Sequence, residues 1–295
     1  MIGELAGLAA AACWAGGSFL FERIGRGSAS AGAMNLGKTT FAFAVLVVAS
    51  IAARGGHVSL DGSPRELGLL AASAVLGITI GDTAFFGAVT RLGAPRAVLL
   101  LSSAPVFTVA LESTIRAALP PRWELAGIAL TLAGIALVLT RAPLAGATRS
   151  TTGVWLGALA ALCQGGGSLL SRAAMSGRIG PLEASWGRLL VAGVALAIFG
   201  AATGRLTVWT RELARGATFV RVGAASFVGT VAGLYLSQVA LARAASAGVA
   251  ATLLATAPIF ALPLAHFARS EATTARAVVG VVAAVAGVAV LTLHP

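Results

Sequence analysis

The sequence predicts an all-α membrane protein in which ten transmembrane helices form two inverted five-helix repeats. Three observations lead to this fold class: few charged residues, a series of apolar runs of membrane-spanning length, and a second half that repeats the first. Charged residues make up 11% and hydrophobic residues 58% of the 295 residues, whereas a soluble domain usually carries about 25% charged residues. Most of the surface must therefore face lipid.

Ten apolar runs of about 18 to 24 residues are long enough to cross roughly 30 Å of hydrocarbon. They lie at 3–21, 33–53, 66–88, 96–117, 123–140, 152–172, 182–202, 217–241, 246–267 and 275–293. Each crossing segment must satisfy its own backbone hydrogen bonds, which favours helices over strands of alternating polarity. The arginines behind the net charge of +11 lie mainly in short loops, where they meet lipid headgroups. We therefore expect a lipid bilayer and no nucleic acid as partner.

The second half of the chain repeats the first at a distance of about 150 residues. The matched positions are Cys13 with Cys163, Gly16-Gly17-Ser18 with Gly166-Gly167-Ser168, Lys38 with Arg188, Gly77/Gly81 with Gly229/Gly233, Pro105 with Pro258, and Gly127/Gly134 with Gly280/Gly287. Each half holds five helices, an odd number, so the second copy enters the membrane from the opposite side. Such inverted repeats are common in secondary transporters, whose substrate site lies between the halves. We place the two domains at 1–145 and 146–295.

Residues 32–39, GAMNLGKT, match the phosphate-binding P-loop pattern. A P-loop requires a buried strand before it and a soluble helix after it. Here a polar turn precedes the motif and a membrane helix follows it, and the second half replaces Thr39 by Leu189. We therefore expect no bound nucleotide.

The order and duplication of several motifs resemble the drug/metabolite transporter superfamily, specifically proteins with two EamA-type repeats of five helices. The segments are CWAGGSF at 13–19, NLGKTTFAFAVL at 35–46, GITIGDTAFFGAVTRLGAPRAVLLLSSAPVF at 77–107 and ELAGIALTLAGIALVL at 124–139, with counterparts at 229–260 and 276–291. The family often has a glutamate between the fourth and fifth helices of each repeat. Glu271 fits that place in the second half, whereas Ala118 occupies it in the first.

This resemblance implies a secondary transporter that moves a small organic metabolite by alternating access, typically as an exporter. It also implies a multi-pass protein of the inner (plasma) membrane with both termini in the cytoplasm. The loop arginines predict the reverse orientation, because seven lie on the N-terminal side and twelve on the opposite side. Four of the twelve belong to the single loop between the seventh and eighth runs, without which the balance is eight to seven. We retain cytoplasmic termini as the expectation.

Lys38 and Arg188 are cations inside predicted helices, where ionisable groups are costly and are candidates for function. They could snorkel to the interface or face a central cavity, which their equivalence across the repeat favours. In a cavity they would favour solutes that bear a carboxylate, such as amino acids.

Asp82 and Glu112 lie too deep in their runs for short side chains to snorkel far. Burial would raise the pKa of such a carboxylate and suit it to proton coupling, as in an antiporter. Alternatively, either residue pairs with a nearby arginine such as Arg91 or Arg116, or caps backbone groups near a helix end.

Several polar side chains at helix depth are candidates for lining a substrate cavity or for hydrogen bonds between helices. They are Trp14, Ser102, Gln164, Tyr235 and Gln238. Close helix packing is expected at Gly77, Gly81, Gly229 and Gly233, and kinks are expected at Pro105 and Pro258.

The three histidines, His57, His266 and His294, show no metal-binding spacing, and no catalytic set lies at one depth. We therefore expect no enzyme, no cofactor and no metal. A transport-inactive scaffold or sensor, or an intramembrane enzyme, remain alternatives that a measurement of solute flux would separate. Monomer and homodimer are both compatible with the sequence.

Overall fold

The computed structural model of the chain describes residues 1–25, 27, 29–92, 94–139, 150–260 and 275–293. The helices in chain order are α1 (Ile2–Gly25), α2 (Ala31–Ala53), α3 (Pro64–Leu92), α4 (Ala94–Leu101), α5 (Ala104–Arg116), α6 (Arg122–Leu139), α7 (Thr151–Ala174), α8 (Pro181–Ala202), α9 (Leu206–Ala214), α10 (Thr218–Arg243), α11 (Ala247–Leu254) and α12 (Ala275–Leu293). Six of them, α1, α2, α3, α7, α8 and α10, are long and apolar enough to cross a membrane. Expectations for Glu271, His266 and His294 lie outside the described residues.

Serine side chains begin several of these helices. The hydroxyl oxygens of Ser30, Ser150 and Ser246 accept hydrogen bonds from the first-turn amides of α2, α7 and α11. Ser63 and Glu66 form a reciprocal capping box at the start of α3. These caps satisfy amides that have no partner inside the helix.

The third helix of each repeat widens into a π-helix near its centre. The two segments are Ala74–Asp82 in α3 and Phe227–Ala232 in α10, which occupy equivalent places in the two halves. π-helical turns are rare in proteins, and those that do occur are often found at functional sites. Because they recur in both halves, the residues around them are candidates for function.

The fourth run of the first repeat is broken rather than simply kinked. α4 ends at Leu101, four residues before Pro105, and α11 ends at Leu254, four residues before Pro258. A proline lacks an N–H, and its ring clashes with the carbonyl four residues earlier. This explains why both helices stop at the same place and why a short turn follows each of them.

The two halves pack by a reciprocal scheme, as an inverted repeat requires. α2 packs against its equivalent α8, and α6 packs against its equivalent α12. α1 packs against α10 and α11 of the other half, while its equivalent α7 packs against α3 and α5.

Matched glycines lie at the closest approaches between the halves. A Cβ on Gly17 of α1 would lie 2.7 Å from the Cα of Gly229 in α10, and a Cβ on Gly167 of α7 would lie 3.0 Å from the Cα of Gly77 in α3. These two pairs are equivalent under the repeat, so both crossings use glycine for the same steric reason.

The predicted fold class is confirmed: the protein is an all-helical membrane protein of about ten spans in two inverted repeats. The short helix α9 was not predicted. It holds Trp209, whose ring is buried against Gly32 and Gly200.

Candidate functional site

A cavity lies between the two halves. Its wall combines residues of α1, α2, α3 and the α4–α5 turn with residues of α7, α8, α10 and α11. The cavity has a volume of about 140 Å³, which is room for about five water molecules at about 30 Å³ each. The predicted candidates on its wall are Trp14, Lys38, Asp82, Ser102, Gln164 and Arg188. A small organic solute fits a space of this size.

Lys38 forms an ion pair with Asp82 across the first half of the wall. The distance from Lys38 Nζ to Asp82 Oδ2 is 2.6 Å, and Lys38 is only 6% exposed. Its ammonium also lies 5.8 Å from the centre of the Phe86 ring. The snorkelling hypothesis is wrong for Lys38, because the side chain is held by a carboxylate within the protein. Asp82 likewise pairs with this lysine instead of with an arginine.

The side-chain amide of Asn35 on α2 fixes the cavity wall around the Lys38–Asp82 pair. Asn35 Nδ2, one turn before Lys38 on α2, donates to the carbonyl of Ile78 at 2.8 Å and to Thr83 Oγ1 at 2.9 Å. Ile78 belongs to the π-helical segment that ends at Asp82. Asn35 therefore ties α2 to the segment that positions the carboxylate.

Arg188 occupies the equivalent place in the second half and is 4% exposed, so snorkelling is wrong for it too. Its Nη1 donates to Gln238 Oε1 at 2.9 Å, and its Nη2 makes a long contact of 3.5 Å with the Ser73 carbonyl. Gln238 in turn donates from Nε2 to Ser171 Oγ at 2.5 Å. The buried Nε of Arg188 has no acceptor among the described residues. Arg188 is thus held in place but not fully hydrogen-bonded.

The two equivalent cations differ because Asp82 has no acidic counterpart in the second half. Leu234 stands at the matched position, lines the cavity and packs in an apolar cluster with Trp186 and Leu189. Within the described part of the chain, no carboxylate lies within 4.0 Å of the Arg188 guanidinium. Lys38 is paired directly with Asp82, whereas Arg188 has no carboxylate within pairing distance among the described residues and is reached by the charge of Asp82 only from farther away.

The remaining predicted lining residues fall into two groups. Trp14, Gln164 and Ser102 lie on the wall, and Ser102 Oγ donates to the Val98 carbonyl at 2.8 Å. Gln238 is fully buried behind Arg188, and Tyr235 is 38% exposed and does not line the cavity. Gln238 therefore positions Arg188 rather than the solute, and the expectation for Tyr235 as a lining residue is corrected.

Glu112 also lies away from the cavity. Its Oε2 accepts a hydrogen bond of 3.2 Å from the Gly248 amide at the start of α11, and its Oε1 lies 2.9 Å from Arg116 Nη2. Glu124 accepts a hydrogen bond from the capping hydroxyl Ser246 at the same helix start. Carboxylates are favourable at a helix N-terminus, so the position of Glu112 does not support a role in proton coupling.

Sequence reasoning did not select several residues of the wall. These are the matched serines Ser18 and Ser168, the polar Thr230 and Ser237, and the aromatic Phe21 and Phe85. The repeated Gly-Gly-Ser motif carried the signal for the two serines. No sequence signal distinguishes Phe21 and Phe85 from the many other apolar residues of these helices.

The four glycines expected at close packing lie against neighbouring elements. For Gly77, Gly81, Gly229 and Gly233, the atoms nearest to an added Cβ are Arg188 Nη2 at 2.9 Å, Cys163 Cβ at 3.0 Å, Gly17 Cα at 3.0 Å and Trp14 Cδ1 at 2.6 Å. Three of these neighbours, Arg188, Gly17 and Trp14, line the cavity, and Gly77 and Gly233 leave room for the side chains of Arg188 and Trp14.

Comparison with known proteins agrees with this architecture. A model of the EamA-like transporter family matches residues 1–140 and again residues 151–293. The chain belongs to the EamA-like transporter family. Membership makes it a membrane transporter of the drug/metabolite kind and fits the expectation that it is not an enzyme.

One solved structure, described only as "Crystal structure of protein", is similar to the chain with a TM-score of 0.75 and 19% sequence identity, over 99% of both chains. At this identity the likeness shows the fold alone. No curated protein matches the chain significantly.

Proposed function

We propose that the protein is a secondary active transporter that moves a small organic metabolite through the cavity between its halves by alternating access. The observation that carries this proposal is the cavity wall, which combines an ion pair, a buried guanidinium and apolar side chains. Export is the direction that the family resemblance implies. Asp82 is the proton-binding candidate, because it is the one carboxylate among the described residues of that wall.

Contacts between the halves supply a basis for alternating access. On the N-terminal side, Arg54 at the end of α2 pairs with Glu183 at the start of α8, with an Nη2–Oε1 distance of 2.6 Å. On the opposite side, Glu212 of α9 accepts hydrogen bonds from the amide and hydroxyl of Ser30 before α2. Opening either side of α2 requires one of these links to break.

Solute counterflow in liposomes tests the proposal. Purified protein is reconstituted into liposomes loaded with an unlabelled metabolite mixture, and the uptake of labelled members is followed. Ser18→Phe adds a ring to the cavity wall and should abolish uptake, whereas Ser176→Phe, at an exposed site after α7, should not. Uptake no faster than in protein-free liposomes, or uptake that Ser18→Phe leaves unchanged, would contradict the proposal.

We further propose a multi-pass protein of the inner membrane with cytoplasmic termini, as the resemblance implies. The loop arginines predict the opposite orientation. Four of them, Arg205, Arg211, Arg215 and Arg221, are exposed around α9. A reporter that is active only in the cytoplasm, fused after the last residue, decides between the two orientations.

A further inference from the structure

We infer that Arg188 is the anion-binding residue of the cavity and that the transported solute is a small organic monocarboxylate with an apolar body. This inference rests on the proposed transport function and names the class of its substrate. It follows from the charge balance of the wall, the state of the Arg188 guanidinium and the character of the surrounding side chains.

The charged side chains on the described wall are Lys38, Asp82 and Arg188. The first two neutralise each other at 2.6 Å, which leaves one positive charge. An uncompensated charge inside a membrane protein is costly. A solute with a single negative charge balances this wall, whereas a cation would be repelled by it.

The Arg188 guanidinium is arranged to receive a carboxylate. Gln238 fixes one edge through Nη1, while Nε is buried without an acceptor among the described residues. The absence of a side chain at Gly77 leaves room for Arg188 Nη2, because a Cβ added to Gly77 would lie 2.9 Å from that nitrogen. A planar guanidinium with free donors binds a carboxylate by two parallel hydrogen bonds.

The remainder of the wall suits an apolar body of modest size. Trp14, Phe21, Phe85, Leu101 and Leu254 contribute rings and aliphatic chains to it. A cavity of about 140 Å³, the volume of about five water molecules, accommodates only a small solute.

Three probes share one carbon skeleton and differ in their charged groups, so they show which charge the site recognises. They are 4-methylpentanoate, leucine and leucinamide. Binding to the purified protein is followed by tryptophan fluorescence, since Trp14 lies on the wall. The inference predicts that 4-methylpentanoate binds, that leucine, a zwitterion without net charge, binds more weakly, and that the cation leucinamide does not bind. Tighter binding of leucinamide, or of the dianion 3-methylbutyl phosphate, would overturn the monocarboxylate assignment.

Reciprocal substitutions exploit the asymmetry of the repeat. Leu234→Asp should give Arg188 the partner that Asp82 gives Lys38, and should weaken carboxylate binding by at least about 30-fold, the loss expected when a buried charge pair is denied its partner. Adding Asp82→Leu to Leu234→Asp should move the free cation to Lys38 and restore binding to within about tenfold of wild type, since the wall regains one positive charge. Arg211→Gln, at an exposed site on α9, serves as the control.

Failure of this inference is distinguishable from failure of the transport proposal. If carboxylates bind no better than leucinamide while counterflow of another solute is measured, the substrate class is wrong and transport stands. If carboxylates bind as expected but no flux occurs, the site is right and the transport proposal is wrong. A double variant that folds but does not regain binding shows that charge balance does not govern the site.

Discussion

Asp82→Asn keeps the shape of the side chain but removes the carboxylate that holds Lys38. The two charged atoms are 2.6 Å apart. At that distance their attraction is about 1.6 kcal/mol in water and about 6 kcal/mol at an effective dielectric constant of about 20. Because the Asp82 side chain is 27% exposed, the lower figure is the basis for prediction.

Replacement of Asp82 by asparagine releases the Lys38 ammonium for an incoming carboxylate. The lower figure corresponds to about 15-fold tighter binding, since about 1.4 kcal/mol is a factor of ten. We therefore expect Asp82→Asn to bind 4-methylpentanoate about 15-fold more tightly than wild type.

The same variant tests whether Asp82 carries the exchanged proton of an antiporter. The assay is flux of 4-methylpentanoate in liposomes under an imposed pH gradient. In Asp82→Asn the gradient should not change the flux, while solute counterflow should continue. The exposed Asp61→Asn is the control.

Two results would refute this reasoning. A folded Asp82→Asn variant that still follows the pH gradient shows that another group binds the proton. A variant that loses its fold, its binding and its flux together shows that the Lys38–Asp82 pair is structural.

Three other predictions concern residues around this pair. Lys38→Arg should preserve transport, and neither it nor wild type should bind ATP in equilibrium dialysis; binding that the variant abolishes would revive the P-loop interpretation. Glu112→Gln should keep pH-driven flux and lower stability by about 1–2 kcal/mol in thermal unfolding, and loss of the pH response would make it the coupling group. Gly17→Ala should destabilise the fold strongly because its Cβ would lie 2.7 Å from Gly229, whereas Gly68→Ala, with no atom within 4 Å, should not; equal melting temperatures would contradict that packing.

The fold was predictable because its main determinants are local or repeated. Run length and polarity predict membrane helices from composition alone, and an odd number of helices in each repeat predicts inversion. The break before Pro105 was predicted only as a kink, because sequence shows the missing N–H but not the turn that replaces it. The sequence pattern does not predict helix α9, because its apolar residues, such as Trp209, are too few to form a membrane-length run.

The candidate site was only partly predictable. Lys38 and Arg188 stand out as ionisable residues at matched places, but their partners depend on which helices meet in three dimensions. Nothing in the spacing indicates that Asp82 of α3 faces Lys38 of α2, or that Gln238 holds Arg188. Tyr235 shows the same limit, since polarity at helix depth does not determine which face a residue occupies.

The central claim, that the cavity is reached from each side of the membrane in turn, is tested most directly by thiol accessibility. Ser102→Cys is introduced into a Cys13→Ala, Cys163→Ala background, and a membrane-impermeant maleimide is applied to either face of oriented vesicles. The account predicts that the cysteine reacts from both faces and that 4-methylpentanoate slows both reactions, whereas Ser176→Cys in the loop after α7 reacts from one face only. Reaction of the Ser102→Cys thiol from a single face, under all solute and pH conditions, would contradict alternating access.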